Sequence, residues 1–280
     1  MFSEKDISDY YQHTRVHYNR FWKLNETRSL NYGLWEKGAK NLGEAITNIN
    51  NKIIESGGIN ETHFVLDAGC GIGGASIYIA GKTNCKIVGI TLNEQQKLDA
   101  EKNAIALHAK DKCSFHVMNY CKTTFENETF DTVFALESSC HAAEKKDFLA
   151  EACRVLKPGG TLVVMDYFKT ENLTEKQNEI LHKWLYGWAI KDIDTLKTFC
   201  NKAKEVGFKE VATTLKTPEI KKSSWLIYFY SILGTIPTKL YCLYNRNATH
   251  FGRNHTKAGI IQYQALKQNL WNYYMVVAKK

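Results

Sequence analysis

From residue 63 onward the chain alternates short apolar runs with longer amphipathic stretches, and few architectures can absorb that pattern. The runs are FVLDA at 64–68, KIVGITL at 86–92, CSFHVM at 113–118, FDTVFAL at 130–136 and TLVVMDYF at 161–168. Their length and their β-branched and aromatic content read as strands, and the stretches between them as helices. Strands alternating with helices form right-handed βαβ units, which build a mostly parallel sheet covered on both faces. Two more strands are expected around 209–215 and 272–278, and Lys157-Pro158-Gly159-Gly160 reads as the end of a helix and the turn into the fifth strand. The expected fold is a doubly wound, Rossmann-like α/β domain with a mostly parallel seven-stranded sheet. At 44% apolar residues in 280, the chain can bury such a core.

Two segments break the alternation. Residues 1–56 read as an N-terminal helical lid, because Tyr10, Tyr11, Tyr18, Phe21 and Trp22 recur at helical spacing. Residues 57–215 then form the cofactor-binding core, 216–270 a helical cap inserted before the last strand, and 271–280 that strand. The insertion contains WLIYFYSILGTIP at 225–237, nearly all apolar or aromatic. A helix that crosses a bilayer needs ~20 such residues, so this run is too short to span one. It fits a cap over a pocket, an interfacial helix in peripheral contact with a membrane, or buried core.

The net charge of +8 comes from one end of the chain. From Ile220 to Lys280 there are nine Lys or Arg and no Asp or Glu, together with eleven aromatic residues. Such a segment suits an anionic substrate, a membrane surface or nucleic acid, and equally an ordinary solvated face. Its bases are spread out, which argues against nucleic acid. The eight cysteines show no CxxC pair and no His partners at metal spacing, so no metal is expected and reduced thiols are. No apolar stretch follows a basic start, so a cytoplasmic protein without a secretory signal is expected. The Asn25 and Asn127 sequons are then chance products of an Asn-rich chain.

The densest local signal is Val65-Leu66-Asp67-Ala68-Gly69-Cys70-Gly71-Ile72-Gly73-Gly74-Ala75. A strand ends, the chain turns over glycines, and a helix opens with free N–H groups that suit polar or anionic ligands. Gly69, Gly71 and Gly74 also satisfy the dinucleotide pattern GxGxxG, which alone is weak. A dinucleotide site places an acidic residue at the end of the second strand, where this chain has Thr91. A Tyr263/Lys267 pair of hydride-transfer spacing falls after the core has ended.

Four segments, VLDAGCGIGG (65–74), GITLNEQQ (89–96), ALESSCHA (135–142) and RVLKPGG (154–160), together resemble the class I S-adenosylmethionine-dependent methyltransferases. The pattern is most similar to the group of sterol C-methyltransferases, tocopherol methyltransferases and cyclopropane fatty-acid synthases. The resemblance covers roughly residues 60–170. It implies S-adenosylmethionine as cofactor, with Gly69, Gly71 and Gly73 along its methionine part and Asp67 ordering the loop. It implies Thr91, Leu92 and Gln96 at the ribose, Asn119 at the adenine amino group where the group often has Asp, and Tyr120 packed on the adenine. Tyr32 and Gly33, in SLNYGLWE (29–36), resemble the stretch that closes over the methionine end. Glu137 and His141 would sit near the sulfonium and the acceptor. Each has a plainer reading too: Thr91 and Gln96 as a helix cap region, His141 as a polar cap, Cys140 as a small buried residue.

Methyl transfer from a sulfonium is an in-line displacement with its leaving group already in place, so the protein mainly aligns the partners. An oxygen or nitrogen acceptor wants a base, for which His141 is the candidate. An alkene carbon becomes a carbocation, which wants aromatic faces, a carboxylate such as Glu137 and a base afterwards. The aromatics of 10–35 and 225–274, with ESSCHA, favour a small apolar acceptor of isoprenoid type. O- or N-methylation of a polar molecule, nucleic-acid methylation through the basic end, and cofactor binding without transfer remain alternatives. Oligomeric state is not encoded legibly.

Overall fold

The computed structural model describes residues 2–8, 28–29, 31–36, 38–244 and 250–280, with side chains outside 237–253. The aromatic series at 10–22 and the Asn25 sequon lie outside the described residues. Seven strands form one sheet: β1 (Phe64–Ala68), β2 (Lys86–Thr91), β3 (Cys113–Val117), β4 (Phe130–Leu136), β5 (Leu156–Lys169), β6 (Glu210–Leu215) and β7 (Trp271–Lys279). Their order is β3-β2-β1-β4-β5-β7-β6, with only β7 antiparallel to its neighbours. The chain winds outward from β1 in one direction and from β4 in the other. The crevice beyond the carboxyl ends of β1 and β4 is therefore the topological switch point, where doubly wound sheets hold their ligands.

Alternation along the strands sorts the core. Val65, Phe134, Val163 and Met165 face one side, packed by α1 (Leu42–Gly57), α2 (Gly74–Thr83), α3 (Glu94–Ala106) and α5 (Glu175–Gly187). Leu66, Val133, Ala135 and Val164 face the other, under α4 (Lys145–Val155) and α6 (Leu196–Glu205). Polar caps fix where several of these helices start. Asn41, Asn93 and Thr195 each accept a backbone N–H in the first turn, and Thr174 forms a capping box with Gln177.

The structure departs from the sequence reading in two places. Strand β5 starts at Leu156, so Lys157-Pro158-Gly159-Gly160 lies within the strand. Its pairing with β4 slips between Phe130 and Thr132, and Gly159 (φ +77°) absorbs the irregularity. The described part of 1–56 is helical only at 4–8 and from Leu42 on. The strap at 31–36 cannot coil, because its N–H groups are taken from outside. Tyr32 donates to the Glu137 carboxylate, Gly33 to Ser223 Oγ, Leu34 to the Ala45 carbonyl and Trp35 to that of Glu219.

The segment before β7 forms α7 (Thr217–Tyr244) and α8 (His250–Lys267), which pack against each other. Gly259 permits their close approach, since a Cβ there would stand 2.1 Å from Ser231 Oγ. No helix among the described residues is long and apolar enough to cross a membrane.

Candidate functional site

One cavity opens at the switch point, floored by the ends of β1, β2 and β4 and walled by the strap, α7 and α8. Its floor is the glycine loop. Gly69 N–H and Cys70 N–H both donate to the Ile90 carbonyl at 3.0 and 2.9 Å, stitching the loop to β2. Gly69 sits at φ +107°, and a Cβ there would stand 2.3 Å from the Ser138 Cβ. At Gly74 a Cβ would stand 2.1 Å from the Arg28 carbonyl. Gly69 and Gly74 thus have neighbours that leave no room for a side chain, whereas Gly71 has open space around it and is favoured by its left-handed backbone, φ +52°.

Two acids flank this floor. Asp67, one residue before the end of β1, is 2% exposed, and its Oδ2 accepts from Ser76 Oγ at 2.6 Å. Burial pushes its carboxyl up to about 7, against the Ser76 hydrogen bond, which pulls it down. Glu137 follows β4 in a left-handed backbone conformation, φ +51°, which is unusual outside glycine. Its Oε1 accepts from Tyr32 N–H at 2.8 Å and from Tyr273 Oη at 2.9 Å, and its Oε2 from Tyr167 Oη at 2.5 Å. Protein encloses the carboxyl on every side except the cavity. That enclosure raises it to about 8, outweighing three hydrogen bonds that favour the anion.

Around Glu137 stands an aromatic wall. The rings of Tyr32, Tyr167 and Tyr273 lie 5.8–6.0 Å apart in edge contacts. Trp188 joins them 6.3 Å from Tyr167 and lines the cavity. Tyr32 is held at its other end by Gln262 Oε1, 2.9 Å from its hydroxyl.

His141 stands on the same wall. Its Nδ1 lies 3.3 Å from the Ala189 carbonyl, which can only accept, so Nδ1 carries the proton and Nε2 is the basic nitrogen. Burial lowers the imidazole to about 4, keeping it neutral at physiological pH. The loop bearing it is fixed by buried groups. Asp166 Oδ2 accepts from Ser139 Oγ at 2.6 Å and Cys140 N–H at 2.9 Å. Lys145 Nζ donates to the carbonyls of Cys140, Ala142 and Asp192 at 2.7–2.9 Å.

Of the residues expected from sequence, Tyr32, Asp67, Gly69, Gly71, Thr91, Leu92, Gln96, Tyr120, Glu137 and His141 line this one cavity. Thr91 Oγ1 donates to Gln96 Oε1 at 2.7 Å, while the cap of α3 is Asn93. Three expected residues do not line it. Gly33 packs on α1, where a Cβ would meet the Ala45 Cβ at 2.6 Å, and Gly73 packs on Phe115 and Ala100. Asn119 is turned elsewhere: its Nδ2 donates to Glu4 at 2.6 Å and its Oδ1 accepts from Cys121 N–H at 2.7 Å. Tyr120 does reach the cavity, with its hydroxyl on the Ser138 carbonyl at 2.7 Å. Tyr263 packs on Tyr228 away from the site.

Sequence reasoning missed Tyr167 and Trp188, and it covered Ile227, Tyr230 and Tyr273 only as members of the apolar and aromatic stretch 225–274. Tyr167 was findable: it shares the face of Val163 and Met165 near the end of the strand beside β4. Among the described residues no cluster of three metal-ligating side chains occurs, and seven cysteines are free. The glycine floor with two enclosed acids fits a ligand bearing cationic groups and a nucleoside.

Residues 66–164 match the family profile described as Methyltransferase domain. The chain is 31% identical over 179 residues to the sterol 24-C-methyltransferase of Saccharomyces cerevisiae, covering 63% of this chain and 46% of that protein. It thus spans about half the length of the curated relatives it matches. Among solved structures it resembles a cyclopropane synthase from Mycobacterium tuberculosis, with a TM-score of 0.84, 15% identity, and coverage of 100% and 99% of the two chains. It also resembles the geranyl diphosphate C-methyltransferase from Streptomyces coelicolor A3(2), with a TM-score of 0.76, 16% identity, and coverage of 99% and 97%. At these identities the structural likenesses speak for the fold.

Proposed function

We propose that this chain, whose residues 66–164 match a methyltransferase-domain profile, uses S-adenosylmethionine to methylate a carbon of a small apolar acceptor of isoprenoid type. The observation that carries this reading is Glu137, a carboxyl with three donors, set in a wall of tyrosines and tryptophan where the cavity passes from the glycine floor to α7. S-adenosylmethionine, when bound, supplies an electrophilic methyl on a cationic sulfur. Asp67 and the glycine loop would hold its amino-acid end, and Thr91, Leu92 and Gln96, which line the same cavity, its ribose. The Glu137 carboxylate would answer the positive charge of the sulfonium, and Tyr167 and Tyr273 keep that carboxyl fixed.

An acceptor alkene that took up this methyl through its π electrons would be left with the positive charge that the sulfonium gives up. The faces of Tyr167 and Trp188 and the Glu137 carboxylate stabilise that cation. His141, neutral and basic at Nε2, takes a proton from the neighbouring carbon, and the C–H pair closes a new double bond. The same wall serves poorly for a polar acceptor, since it offers few groups to replace lost hydration. The printed names of the sterol and geranyl diphosphate relatives agree with an isoprenoid-type acceptor. The seven described cysteines are free, which fits a reducing compartment such as the cytoplasm.

His141→Ala and Glu137→Gln test the assignment. Each is expected to lower turnover at least ~100-fold, the usual worth of general acid–base catalysis. S-adenosylmethionine affinity should stay within ~10-fold of the parent in His141→Ala and fall only ~25-fold in Glu137→Gln, where the charge facing the sulfonium is lost. Unchanged turnover in both variants removes these roles.

A further inference from the structure

Helix α7 is apolar on both sides. Ile227, Tyr230 and Ser231 line the cavity. Trp225, Phe229, Ile232, Leu233 and Ile236 are instead exposed, from 41% at Phe229 to 70% at Ile236. At about 100° per residue these five fall within an arc of ~100°, with the three cavity residues on the far side. The rings of Trp225 and Phe229 stack at 5.4 Å, so the stripe begins as an organised surface. Single exposed apolar residues are ordinary; five along ~16 Å of one helix face are not.

Charge selects the occupant. Lys221 and Lys222 are exposed at the start of the same face. The sequence from Ile220 to Lys280 carries nine Lys or Arg and no acid. A second copy of the chain would bring this basic region against itself. A helix with an apolar stripe headed by lysines, and too short in apolar length to span, suits the headgroup region of an anionic bilayer. We propose that the outer face of α7 is a membrane-docking surface that lies in the plane of an anionic lipid leaflet. Its inner face is then the wall past which an apolar acceptor leaves the bilayer for the cavity without crossing water. This use of the surface rests on the function proposed above, whereas the docking does not.

The test is sedimentation of the full chain with vesicles of phosphatidylcholine alone or mixed with phosphatidylglycerol. The protein should pellet with the mixed vesicles, dissociate as salt rises, and bind neutral vesicles roughly 30-fold more weakly, the worth of two lysines at an anionic surface. The variant Leu233→Glu/Ile236→Glu changes only exposed positions. It should keep its fold and cofactor binding yet lose at least ~10-fold in vesicle binding. A parent protein that stays in the supernatant, or a variant that pellets as well as the parent, overturns the proposal. So does self-association of the parent that the variant abolishes, which would make a second copy the occupant. Because no acceptor is present, failure of the methylation reading leaves the result standing.

Discussion

Glu137 makes cofactor binding a proton-releasing event. Its carboxyl titrates at about 8 in the folded chain, so at pH 7 it is roughly 90% protonated before the ligand arrives. A unit positive charge brought within ~5 Å at an effective dielectric of ~20 favours the carboxylate by about 3 kcal/mol, or ~2.4 pKa units. The group then titrates near ~5.6 and releases almost all of its proton at pH 7. Asp67, at about 7, responds to the ligand's ammonium group. That group is common to S-adenosylmethionine and S-adenosylhomocysteine, so its contribution cancels between them. Calorimetry at pH 7 in phosphate and in Tris should therefore count ~0.9 more proton released by the sulfonium ligand than by the neutral thioether. Glu137→Gln should abolish the difference and weaken binding of the sulfonium ligand by about 2 kcal/mol, or ~25-fold, the part of the Coulomb gain left after deprotonation at pH 7. Equal proton counts for the two ligands in the parent protein would refute this placement of Glu137 and its charge.

Other outcomes follow from the same geometry. Gly69→Ala forces a side chain into a left-handed backbone and onto Ser138; it should destabilise the fold by about 2–4 kcal/mol and weaken cofactor binding at least ~10-fold, measured by urea melts and calorimetry. Lys145→Met leaves three buried carbonyls without a donor; a loss of about 2–4 kcal/mol is expected in urea unfolding. Stability of the ligand-free protein should fall as pH rises from about 4.5 to 8, because unfolded Glu137 gives up its proton before the folded group does. The slope from this residue is roughly 1.4 kcal/mol per pH unit, and Glu137→Gln should remove that part of it.

What the sequence revealed about the fold was encoded locally. The runs at 64–68, 86–92 and 130–136 match β1, β2 and β4 within a residue, because buried parallel strands need continuous apolar stretches. The glycine loop was equally legible, since its backbone demands glycine. Less was visible where position depends on distant contacts. Tyr167 and Tyr273 meet at Glu137 only because β7 inserts antiparallel beside β5, pairing these two residues directly. Asn119 lies beside β3 as its place in the chain suggests, yet its side chain is claimed by Glu4 from more than a hundred residues away. Nor does any propensity announce the left-handed backbones of Arg28, Glu137 and Ala189 around the cavity. The strap at 31–36 falls inside the helical reading of 1–56; the external acceptors of its N–H groups hold it extended.

The central claim is methyl transfer to an apolar acceptor. The purified protein should be incubated with methyl-labelled S-adenosylmethionine and whole-cell extract, and the label then partitioned between organic solvent and water. Label in the organic phase, lost with His141→Ala and Glu137→Gln, is the predicted result. Label confined to the aqueous phase, or none at all from protein that binds the cofactor, would contradict it.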